Sequence, residues 1–136
     1  MIRAPRKLTK HTIPNHIRSL SRQCEYMAQV FKAIGIPQAR NRDAGFETLL
    51  RIIVDQQISV QAGEAIWAKL EQRFGEVSAE RISTARPSTL QKCGLSRQKI
   101  RYASELAGAV RSGSLDLNSI GDLDDESAIN QLTAIK

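Results

Sequence analysis

Asp55-Gln56-Gln57-Ile58-Ser59 is a polar run set between two apolar-patterned stretches, and it holds the chain's greatest capacity for recognition. Two adjacent carboxamides each donate and accept hydrogen bonds. On an exposed turn they can meet a base edge or fill the space left by a nucleotide turned out of a duplex. A solvent-exposed helix connection accounts for the same residues without a ligand. Leu95-Ser96-Arg97-Gln98-Lys99, with Arg101, places three cations around a helix start, where charge and free amides suit a phosphate. A solvated helix face explains them equally well. His11 and His16 have neither metal-site spacing nor a neighbouring nucleophile and receive no chemistry. Trp67, Tyr26, Phe31, Phe46, Phe74 and Tyr102 can attract an electron-poor base, but most fall on or beside apolar stripes and read as core.

The elements that must position these groups are helical, because no stretch sustains a strand's alternation. Ile17, Leu20, Cys24, Met27, Phe31 and Ile34 recur at spacings of three and four, predicting one long helix that closes at Gly35. Phe46, Leu49, Leu50 and Ile53 predict a second, with Asp43 as its cap. Ala62, Ile66, Leu70 and Phe74 predict a third, from Ser59 to Gly75. A short helix follows Pro87 and stops at Gly94. Ser96 opens the next, whose stripe is Ile100, Ala103, Ala107 and Val110 before Ser112-Gly113. The acidic run Asp122, Asp124, Asp125, Glu126 suits the positive end of a last helix, striped by Ile129, Leu132 and Ile135. That stripe meets the chain end without a stop signal, so a truncated element is expected.

A chain of 136 residues, 41% hydrophobic, supports one modest core and predicts one all-α domain. No apolar run approaches the roughly 18 residues of a membrane span. Cys24 and Cys93 are distant, with no CxxC pairing, and read as reduced thiols in the core. The net charge of +6 is carried by residues 1 to 23, which hold Arg3, Arg6, Lys7, Lys10, Arg18 and Arg22 and no acid. Such a leader suits a phosphate-contacting arm, a solvated tail or, less well given Pro5 and Pro14, a transit peptide. The division expected is a basic flexible leader at 1–15 and a helical domain at 16–136.

The segment from Phe46 to Lys136, with Ile53-Val54-Asp55-Gln56-Gln57-Ile58-Ser59-Val60 and Cys93-Gly94-Leu95-Ser96-Arg97-Gln98-Lys99, resembles the first half of the DNA-3-methyladenine glycosylase II family, among the helix-hairpin-helix DNA glycosylases. The resemblance implies a helical bundle like the N-terminal part of that fold, and an enzyme of base excision repair that hydrolyses the N-glycosidic bond of alkylated purines. Its partner would be double-stranded DNA containing alkylated bases, with no metal, cofactor or membrane, in the bacterial cytosol or nucleoid. DNA-binding residues carried over are Gln57 at the intercalating position, with Gln56, Ile58 and Ser59 beside it, and Lys99 from the recurring Gly-Leu-Ser pattern. The catalytic aspartate and the hairpin are expected beyond Lys136, so Asp122, Asp124 and Asp125 are not candidates. The chain alone is then expected to be inactive, complemented by a C-terminal fragment or self-associating through uncovered stripes. A non-catalytic DNA-binding module and a protein-interaction domain are the alternatives.

Overall fold

Helix starts and stops follow from side chains that satisfy the end groups a helix leaves unpaired. The computed structural model describes residues 8–135, among which there are helices and turns and no strand. The leader cations Arg3, Arg6 and Lys7 and the terminal Lys136 lie outside the described residues. These fall into two compact units that divide between Arg42 and Asp43. No helix among them is long and apolar enough to cross a membrane.

The first unit contains α1 (Ile13–Gln23) and α2 (Glu25–Ile34), which pack on each other. The single long helix expected here is broken at Cys24, whose extended backbone (φ −143°, ψ 115°) ends α1 and precedes α2. The apolar period carries straight through the break, so periodicity alone could not reveal it. Helical backbone begins at Ile13, inside the segment read as a leader, with Pro14 in the first turn and Thr9 and Thr12 bonded side chain to backbone ahead of it. Gly35 (φ 76°) closes α2 as expected. Tyr26 and Ile34 are largely exposed.

The second unit holds α3 (Phe46–Asp55), α4 (Val60–Phe74), α5 (Ala79–Thr84), α6 (Pro87–Lys92), α7 (Arg97–Ser112) and α8 (Asp125–Thr133), with a short 3-10 turn at Ile120–Asp122. Helices α3, α5 and α6 all pack on α7. Its buried stripe is Ile100, Ala103, Leu106 and Ala107. The two alanines leave room for neighbouring backbones to approach, and Leu50, Val54, Trp67, Leu70, Ile82 and Leu90 close around them. Ser59, Ser78, Ser96 and Asp124 each accept a bond from the amide three residues on, opening α4, α5, α7 and α8.

Several expectations are corrected here. Gly45, with no side-chain bond, occupies the cap of α3 in place of Asp43. The face α4 buries is centred on Gly63, Trp67 and Leu70, one position round from the expected stripe, because Trp67 is inside with its indole N–H on Glu71 (2.9 Å). Helix α5 was not foreseen; it is six residues long, too short to display a period. The aromatics Trp67, Phe46 and Phe74 do belong to the core. Both cysteines are free, Cys93 buried and Cys24 half-buried. Ile135, just past the end of α8, packs on the core, while within α8 Ile129 is 58% exposed and Leu132 37%.

Two outcomes are expected. Leu70 is fully buried, so Leu70→Ala should lower unfolding free energy by about 2–5 kcal/mol in a urea titration. The amide and hydroxyl of Ser127 hold the Asp124 carboxyl below its ordinary value of 3.8. A depressed carboxylate stabilises the folded helix above its unfolded value and loses that contribution as pH falls through the folded one. Protection of the Ser127 amide, relative to its exchange in an unstructured chain at the same pH, should therefore fall below pH 3.8, and Asp124→Asn, which caps without titrating, should remove the dependence.

Candidate nucleic-acid interface

The turn joining α3 to α4 is a tight one. Asp55 ends α3, Gln56 is extended (φ −64°, ψ 134°), and Ser59 is already the cap of α4, its Oγ accepting the Ala62 amide at 3.2 Å. Between them Gln57 takes φ 57°, the only positive φ at a non-glycine among the described residues. A side chain in this left-handed region costs about 1 kcal/mol, so the surrounding structure must impose it.

Three side chains, Lys99, Asp55 and Ile58, tie this turn to its surroundings. The Lys99 ammonium donates to the carbonyl oxygens of Val54 (2.6 Å) and Gln56 (2.8 Å), two groups that the end of α3 would otherwise leave to water. The Asp55 carboxylate lies against Gly63 so closely that a Cβ there would stand 2.3 Å from Oδ1. Gly63 is buried inside α4, where glycine weakens a helix; close approach of the turn is what it provides. Ile58 reaches the same spot with its Cδ1.

Lys99 reaches the turn because of how α6 joins α7. Gly94 (φ 104°) donates its amide to Gln91 O at 2.9 Å, and Leu95 donates to Leu90 O at 3.3 Å. These paired bonds, with buried Leu95 beside buried Leu90, form the Schellman termination that a left-handed glycine permits. Ser96 then caps α7, its Oγ accepting the Lys99 amide at 3.3 Å. The Gly-Leu-Ser pattern is therefore a helix stop, a hydrophobic anchor and a helix start in succession. A Cβ on Gly94 would press on Ile66 Cγ1 at 3.1 Å, so the junction is also tight against α4.

Between the turn and the first turns of α7 lies an open groove of about 350 Å³, bordered by Gln56, Gln57, Ile58, Gln98, Lys99 and Tyr102. Gln98 bonds the Tyr102 hydroxyl at 2.6 Å. Gln56, Gln57 and Ser59 are exposed and Ile58 is half-buried. Of the residues named from sequence, the structure brings Gln56, Gln57, Ile58 and Lys99 to one groove and uses Ser59 to hold α4's start. It adds Gly63, whose signal was a glycine inside a helical pattern, and gives Asp55 of the polar run and Tyr102 of the aromatic set their places beside the turn. Arg97 and Arg101 are exposed on α7. Asp124 is occupied as a helix cap. No group of three or more metal-ligating side chains occurs among the described residues.

Residues 50–136 match the family described as HhH-GPD superfamily base excision DNA repair protein. The fold is similar to the crystal structure of a DNA-3-methyladenine glycosidase from Bacillus halodurans, with a TM-score of 0.69 and 29% identity over 88% of this chain. This chain spans 56% of that one. No curated protein matches the chain.

Because Gln57 alone among the described residues occupies the left-handed region without being glycine, Gln57→Gly should leave stability unchanged or raise it by up to about 1 kcal/mol, whereas β-branched Gln57→Val should lower it. Denaturant midpoints of the two variants check the order.

Proposed function

The chain belongs to the HhH-GPD superfamily of base excision DNA repair proteins, and from that premise we propose that it is part of a DNA glycosylase that hydrolyses the N-glycosidic bond of alkylated purines in double-stranded DNA. The observation that carries this reading is the exposed turn on which Gln57 is held in a left-handed conformation by Lys99. A strained, over-determined side chain on a rigid support is what filling a gap in a base stack requires. The likeness to a structure named as a DNA-3-methyladenine glycosidase supports the alkylated purine as substrate.

In this reading Gln57 enters the stack where the lesion nucleotide is turned out, and its carboxamide meets the base left unpaired. Gln56, Ile58 and Ser59 flank it, and the exposed Arg97 and Arg101 supply cations for the phosphates. The carboxylate that stabilises the cationic sugar is placed outside this chain, since the first-half resemblance sets it after Lys136. That placement accords with a chain spanning 56% of the glycosidase structure. The 136 residues alone then bind DNA and do not release bases.

The test combines duplex binding with an excision assay on methylated DNA. The chain should bind duplex carrying an abasic-site analogue with an affinity that falls linearly in log salt. Gln57→Ala should weaken binding by up to about tenfold, the range of one hydrogen-bonding side chain. Release of methylated purines by the 136-residue chain would overturn the placement of the carboxylate, and salt-independent binding would overturn the interface.

A further inference from the structure

We propose that Lys99 is a positioning residue for the Gln57 turn, acting through the Val54 and Gln56 carbonyls and not on a phosphate; the proposal rests on the reading of Gln57 as the residue that enters the base stack. Two of the three ammonium donors are committed to those carbonyls at 2.6 and 2.8 Å, and the side chain is half-buried. The Gln56 carbonyl belongs to the same peptide plane as the Gln57 N–H. Fixing that oxygen fixes one side of the Gln57 N–Cα torsion, and the start of α4 at the Ser59 cap holds the other, so the φ of 57° is set between two anchored planes.

The location of Lys99 argues that it serves this purpose. It is the third residue of α7, where the helix's own dipole disfavours a cation. The carbonyl end of α3, far off in sequence, offsets that local disadvantage. A residue that breaks a local rule while restraining a strained side chain elsewhere marks a functional device. Stabilisation alone would be served as well by glycine at the left-handed position, with no distant lysine.

Four versions of the 136-residue chain decide the matter: wild type, Lys99→Met, Gln57→Ala and the double variant. Each is mixed with a duplex carrying 2-aminopurine beside an abasic-site analogue, whose fluorescence rises when the base is unstacked. The expected result is that Lys99→Met binds about tenfold more weakly, loses the fluorescence rise and keeps the wild-type salt slope. The double variant should be no worse than Lys99→Met alone, since both act through one group. Leu115→Ala, which opens the core beyond the far end of α7, where the Leu115 amide bonds Ala109 O, should retain the fluorescence rise.

A Lys99→Met chain that keeps the fluorescence rise while its salt slope falls by about 0.9 would make Lys99 a phosphate contact and overturn the proposal. Backbone relaxation of the free proteins keeps the two readings separable. Order parameters at Gln57 and Ile58 should drop below about 0.6 in Lys99→Met, and unchanged values overturn the clamp. If they drop while wild type binds no duplex, the DNA reading fails and the clamp stands. Should Lys99→Met not fold, Lys99→Gln, which keeps a donor, is read in the same assays with the same criteria.

Discussion

The packing of α7 is what α3, α5 and α6 share, with α4 joined to it through α3. Its buried stripe of Ile100, Ala103, Leu106 and Ala107 receives three other helices, and the alanines admit them at close range. Close packing makes the position of α7's first turn a fixed quantity. Because Lys99 sits in that first turn, the core sets where its ammonium ends, and the ammonium bonds two carbonyls of the turn after α3. The hydrophobic core and the polar surface feature are thus one mechanical system.

The turn itself departs from what a stable connection would choose. A glycine at position 57 would relax the backbone, yet glutamine occupies it in the left-handed region. Gly63 goes the other way, weakening α4 locally so that Asp55 can approach. Such paired departures, each destabilising alone, are where a fold departs from its own optimum in favour of a site. In the function proposed for this member of a base excision repair superfamily, a rigid polar projection is what unstacking DNA would use.

The sequence by itself determined the helical class, most helix ends and the residues of the turn. Ser59, Ser96 and Asp124 as starts, and Gly35, Gly75 and Gly113 as stops, are local chemistry, fixed by side chains within a few residues. The Gln-Gln turn was legible because two carboxamides interrupt two apolar patterns. Only the tertiary structure decided the rest. The break at Cys24 leaves the apolar period intact, α5 is too short to show one, and the buried face of α4 turns on where Trp67 fits. Lys99 and the Gln56 carbonyl lie 43 residues apart, and their pairing depends on how α3 packs on α7. A hydrogen bond between distant residues leaves no trace in local spacing, because its geometry exists only once the core has brought the two chain segments together.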